Sequence, residues 1–146
     1  MFGVKRKGGG TADFERLREQ AMALAGIGLY RYTFQGKLLY IDQGALQVLE
    51  ADDRFSNPAK AIGKGVREIA AKVDAPGSLR EDVRRTGEVT GRLGHFRTAA
   101  GNDKWVMQDA MLVRDPGTGE ECVQVLIRDV TEQRRLEEEA RVGERR

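Results

Sequence analysis

The sequence predicts an α+β domain: a five-stranded antiparallel sheet with short helices on one face, flanked by an N-terminal amphipathic helix and a charged C-terminal helix. Three observations carry that reading. Apart from an early hairpin at 29–41, apolar residues recur at helical spacing up to Gly87, and beyond it the pattern changes to the alternation of strands. Two segments with Gly, Asn, Asp and Pro chemistry, 99–103 and 115–119, divide the later part into three strands. The last strand then runs without a linker into Arg134-Arg135-Leu136-Glu137-Glu138-Glu139-Ala140-Arg141. Two strands, several short helices and three strands suit a single sheet covered on one side.

Taken in order, residues 1–10 end in Gly8-Gly9-Gly10, hold little that can be buried, and are expected to be a disordered tail. Residues 11–26 read as a flanking helix: Phe14, Leu17, Ala21 and Leu24 form a narrow seam, and Gly26 supplies the C-terminal cap. That seam fits either the domain's own sheet or the same helix of a second copy. Its a/d-like spacing makes a homodimer contact through these four residues the expectation.

The core is expected over residues 27–129. Segments 29–34 and 37–41 flank Gln35-Gly36 as a tight hairpin, and 43–50 is a short helix with Leu46 and Leu49 inward. Asn57-Pro58 opens another short segment towards Ile62. Ser78-Leu79-Arg80-Glu81 is a capping box whose helix places Leu79 and Val83 on its apolar face and ends at Gly87. Strands follow at 89–98, 104–114 and 121–128. Asp129 is then expected to cap the helix of residues 130–146, with Glu132 reaching back to the Asp129 N–H.

Bulk properties exclude several classes. The 146 residues suffice for one ordinary core, and 25 Lys plus Arg against 23 Asp plus Glu leave a net charge of +2, so no electrostatic argument favours nucleic acid. The single cysteine, Cys122, excludes an internal disulfide and a Cys-rich metal site. There is no apolar run of about eighteen residues and no apolar signal-peptide core, so a soluble cytoplasmic protein without a membrane partner is expected.

Few residues suggest chemistry. His95 is the lone histidine and has no nucleophile nearby in sequence. Asp109 falls among Trp105, Met107, Met111 and Val113 if that face is buried, and would then need a ligand's polar group or an arginine such as Arg31 or Arg97. The opposite face carries Val106, Ala110 and Leu112, so alternation alone leaves the buried face open. No second carboxylate is set against Asp109, and the glycines form neither a dinucleotide fingerprint nor a phosphate loop. Catalysis is not expected.

Asp129-Val130-Thr131-Glu132, between a long strand and a charged helix, resembles the end of a PAS domain. Arg97-Thr98-Ala99-Ala100-Gly101 followed by Trp105, the hairpin Asp115-Pro116-Gly117-Thr118-Gly119, Ile62-Gly63-Lys64 and Arg85-Thr86-Gly87-Glu88 are similar to further segments of that family, in the family's order. The resemblance covers about residues 27–133 and implies a sensory module of a bacterial-type, two-component-like signalling protein. It would sense a small ligand or partner, in a cavity lined by Ile62, Ile69, Leu79, Val83, Leu93, His95, Phe96, Trp105, Met107, Asp109, Val125 and Ile127. Asp129, Thr131 and Glu132 would transmit the change through the C-terminal helix to a kinase, cyclase or regulator domain in cis or in trans. The alternative is a ligand-free PAS module for dimerisation and protein interaction.

No cofactor is expected from the same resemblance. Haem-binding relatives carry the axial histidine on or beside the helix that here spans 79–86, which has none, and Cys122 does not match the reactive cysteine of flavin photoreceptors. Protein expressed with haem and flavin precursors should therefore show neither a Soret band nor a flavin spectrum after desalting. Either band at near-stoichiometric intensity contradicts the expectation.

Overall fold

The computed structural model describes residues 2–69, 73–74, 78–98 and 100–144. Helix α1 (Phe2–Leu24) leads into strands β1 (Ile27–Thr33) and β2 (Leu38–Ile41). Helix α2 (Gln43–Val48), a 3-10 turn (Pro58–Lys60) and helix α3 (Val66–Ile69) follow. Then come β3 (Val73–Asp74), α4 (Leu79–Thr86), β4 (Glu88–Arg97), β5 (Asp103–Arg114), β6 (Glu121–Asp129) and α5 (Thr131–Glu144). The sheet runs β2-β1-β6-β5-β4-β3, and all its pairs are antiparallel.

Two features depart from the sequence reading. The sheet gains a sixth strand, β3, whose Val73 and Asp74 pair with Phe96 and His95; two residues are too few to show a period. Helix α1 also begins at Phe2 rather than Thr11 and takes in the segment expected to be disordered. Once a helix is nucleated, each added residue brings a hydrogen bond, and a glycine costs only about 1 kcal/mol relative to alanine. No proline interrupts residues 2–10.

The core lies between the sheet and the helices α2 to α4. Tyr30 and Tyr32 of β1, Val106 and Ala110 of β5, and Val123, Val125 and Ile127 of β6 meet Leu46 and Val83 there, all buried. Local chemistry sets the helices that cover it. Asp42 caps α2, its Oδ1 accepting from Ala45 N at 2.8 Å and from Leu29 N at 3.1 Å. Burial still raises its carboxyl above the usual range despite those donors. Ser78 Oγ accepts from Glu81 N at 3.3 Å at the start of α4, and Gly87, at φ +88°, donates to Val83 O at its end.

Two glycines set the spacing between α2 and strand β1. A Cβ at Gly28 would stand 2.2 Å from Ala45 N, and one at Gly44 would stand 2.2 Å from Ile27 O. The β1–α2 contact is backbone against backbone, which no other residue permits.

On the other side of the sheet, Arg31 links distant parts of the chain. Its Nη1 donates to Gln124 Oε1 at 3.0 Å, its Nε to Asp115 Oδ1 at 3.3 Å, and its guanidinium lies 4.6 Å over the Tyr40 ring. Tyr40 Oη donates in turn to Glu19 Oε1 of α1 at 3.3 Å. Burial, with Glu19 and Asp42 nearby, pushes the Tyr40 phenol up to about 12.

Gly28→Ala is expected to destabilise the fold by about 1–3 kcal/mol or more through overpacking. Gly143→Ala, whose added methyl meets nothing within 4 Å, should be neutral or stabilise by up to about 1 kcal/mol. Urea unfolding followed by circular dichroism checks both; an unshifted midpoint for Gly28→Ala would show that the close approach does not constrain the fold.

Candidate functional site

Strand β5 decides which side chains share a site. Its even positions, Val106, Gln108, Ala110 and Leu112, face the helices, with the first three buried. Trp105, Met107, Asp109, Met111 and Val113 therefore stand on the opposite face. The pairing carries this sidedness to β4, where His95 is opposite Trp105 and Leu93 opposite Met107.

Half of the twelve residues expected to line a cavity are thus brought together. Ile69, Val83, Phe96, Val125 and Ile127 are buried in the core and Leu79 packs against it. Leu93, His95, Trp105, Met107 and Asp109 lie on the outer face instead, and Ile62 is 42% exposed in a turn. Both faces of β5 carry apolar residues, so the period could not choose between them.

The outer residues have other partners. Asp109 Oδ1 accepts from Gly91 N at 2.7 Å, where Gly91 adopts φ +64° and the β4–β5 register shifts between Val89 and Arg92. It therefore clamps a β-bulge rather than meeting either proposed arginine. Arg31 pairs with Asp115, and Arg97 Nε with Asp103 Oδ1 at 3.4 Å. His95 stacks on Trp105 with 4.5 Å between ring centroids. Cys122 is buried, and burial raises its thiol above the ordinary value. Among the described residues no group of three His, Cys, Asp or Glu side chains could hold a metal ion, and no helix is long and apolar enough to cross a membrane.

The second assembly is the junction from β6 to α5. Asp129 does not form the expected reciprocal box. Its Oδ1 accepts from Thr131 N at 3.0 Å and its Oδ2 from Lys104 Nζ at 2.7 Å, while its own N–H donates to Gly26 O at 2.8 Å. Glu132 pairs with Arg135 on the exposed surface of α5. An i to i+3 pair within the helix is closer to hand than a backbone N–H already taken by Gly26.

Thr131 completes the junction. Its Oγ1 accepts from Trp105 N at 3.0 Å, and Val130 N donates to Trp105 O at 2.9 Å. The Arg134 guanidinium covers the Trp105 ring at 4.3 Å. The first turn of α5 is thus held by β5 and the Asp129 backbone by the end of α1. Lys104, Gly26 and Arg134 gave no sequence signal for this, because their partners lie far along the chain.

Neither a protein-family model nor a curated protein matches the sequence. Solved structures do. The PAS domain of nitrogen regulation protein NR(II) from Vibrio parahaemolyticus aligns with 77% of this chain and 97% of its own, at 12% identity and a TM-score of 0.58. A PAS domain from a two-component sensor histidine kinase aligns over 82% and 98%, at 13% identity and a TM-score of 0.56. The chain folds as a PAS domain. A further PAS domain, from Colwellia psychrerythraea, aligns over 82% and 98% at 16% identity and a TM-score of 0.52.

Flanking this PAS core, Phe14, Leu17, Ala21 and Leu24 of α1 are all exposed, Leu24 at 91%. An open cleft of about 680 Å³ lies beside the contact of α1 with α2, lined by Glu19, Ala23, Leu24 and Gln47 among others.

Burial opposes the charge on Asp129, but the Lys104 ammonium and the Thr131 donors outweigh it, so the carboxyl lies below its usual range. A carboxyl whose folded pKa is depressed contributes stability that is present above its unfolded value, about 3.9, and lost as pH falls through the folded one. Protection of the α5 amides from exchange should therefore fall as pH drops below about 4, ahead of protection in β4 to β6. Asp129→Ala should cost about 1–3 kcal/mol and remove that pH dependence. An unchanged profile in the variant would place the titrating group elsewhere.

Proposed function

We infer that this chain is a sensory PAS module that converts a small-ligand or partner signal into movement of its C-terminal helix, without catalysis. The observation that carries the reading is the junction: Thr131 and Val130 hydrogen-bond to the backbone of Trp105 at one end of β5. A change in the strand's position relative to its neighbours is thereby delivered to the first turn of α5 instead of being absorbed in a loop. The interior half-site of Ile69, Leu79, Val83, Phe96, Val125 and Ile127 is where a ligand would act on the sheet. Solved structures of the same fold that are named as a nitrogen regulation protein and a sensor histidine kinase support a signalling role.

In this reading the module works as a homodimer. The exposed Phe14, Leu17, Ala21 and Leu24 of α1 would supply the contact, and paired α5 helices would lead to a kinase, cyclase or regulator domain in cis or in trans. The same exposed seam favours the second reading, a PAS module that dimerises and docks partners without a ligand.

Light scattering should report a dimer at tens of micromolar, on the order of a useful assay concentration, and a monomer for Leu17→Glu. With a kinase fused beyond residue 146, Thr131→Val should change basal output and abolish any response while the strands keep their exchange protection. Normal output from that variant, with faster exchange confined to α5, would leave a structural helix end and remove the signalling role.

A further inference from the structure

Away from the Lys104–Asp129 pair at its end, one polar pair interrupts the apolar inner face of the sheet. Gln108 of β5 is 5% exposed and sits between Val106 and Ala110 on the side facing the helices. Its cross-strand partner is Arg92 of β4, so the two side chains share that face. Arg92 Nη2 pairs with Asp82 Oδ2 of α4. Its Nη1 is buried and has no hydrogen-bond partner among the described residues, and the buried Gln108 lies directly across the strands from it.

A buried guanidinium nitrogen without an acceptor is costly, and it calls for one supplied by water or by a ligand. The local charge selects its sign. Asp82 is shared by Arg92 and Arg85, the latter at 3.1 Å, so two guanidinium groups face one carboxylate. No second carboxylate contacts Arg92 among the described residues. The neighbouring positions are apolar and in part small: Gly94 and Phe96 continue the inner face of β4, and Val83 of α4 covers it.

We propose that Arg92 and Gln108 are the recognition pair for a small organic anion, an aliphatic carboxylate whose head spans Arg92 Nη1 and the Gln108 amide. Its apolar body would enter among Val83, Phe96 and Ala110, which are buried in the core of this structure. One oxygen accepts from the guanidinium and the other from the amide, an arrangement that neutral molecules reproduce only in part. The inference rests on the sensory reading above and names the class of its ligand.

The test uses butanoate, hexanoate and octanoate with the full chain, and hexanamide as the neutral match. Titrations followed by nitrogen-15 NMR should move the Arg92 and Gln108 side-chain signals with at least one carboxylate, and the melting temperature should rise with its concentration. Hexanamide should bind roughly tenfold or more weakly, and Arg92→Met should lose carboxylate affinity by a similar factor. Gln108→Glu, which sets a like charge beside the head group, keeps the test open if Arg92→Met does not fold, and should lose affinity likewise. Three results overturn the proposal: none of the carboxylates binds, hexanamide binds equally well, or the folded variants bind carboxylate unchanged. Failure of the sensory reading looks different: carboxylate binds at Arg92 while amide exchange in α5 does not respond. A neutral ligand that does alter α5 would keep the sensory reading and remove the anion.

Discussion

The pairing of β5 between β4 and β6 is the constraint on which the other features depend. Val106 is opposite Asp129, Gln108 opposite Ile127 and Ala110 opposite Val125 across β6, while His95, Leu93 and Arg92 take their places across β4. With that register, the even residues of β5 join Tyr30, Val125 and Ile127 under the helices. The same register puts Trp105 at the end of the strand, where its backbone meets Val130 and Thr131. A slip by one residue would turn Asp109 inward, expel Val106 and Ala110, and break the junction in the same move.

Around this strand the fold assigns different chemistry to its two faces. The inner face is apolar apart from Gln108 with Arg92 and, at one end, Lys104 with Asp129, and α2 covers it closely because Gly28 and Gly44 let backbones meet. The outer face uses polar residues as fasteners. Asp109 holds the Gly91 bulge, and Arg31 joins Tyr40 to Gln124 and Asp115. Partly buried charges of this kind fix geometry more than they add stability, since loss of hydration offsets much of their attraction.

The junction joins three parts of the chain in a few ångströms. Gly26 at the end of α1 accepts from Asp129 N, Lys104 and Trp105 at the start of β5 hold the side chain of Asp129 and the hydroxyl of Thr131, and α5 begins at once. Entry and exit helices are therefore anchored side by side at one end of the sheet.

Much of this was legible in the residues themselves. The order of strands and helices, the Ser78 cap, the stop at Gly87 and the direct passage from β6 into α5 are all local properties: backbone periodicity, turn chemistry and capping act over a few positions. The half of the cavity set that lies inside belongs to segments such as Val125 and Ile127, where the neighbouring residues left little doubt about the apolar face. What tertiary structure decided was sidedness and partnership. Trp105, Met107 and Val113 are as apolar as Val106, Ala110 and Leu112, so alternation defines two faces of β5 without choosing one; the choice is made where the helices pack. Asp129 likewise reads as a local cap, yet its partners Lys104 and Gly26 lie 25 and 103 positions away in the chain, and contacts at that separation leave no period or short motif behind.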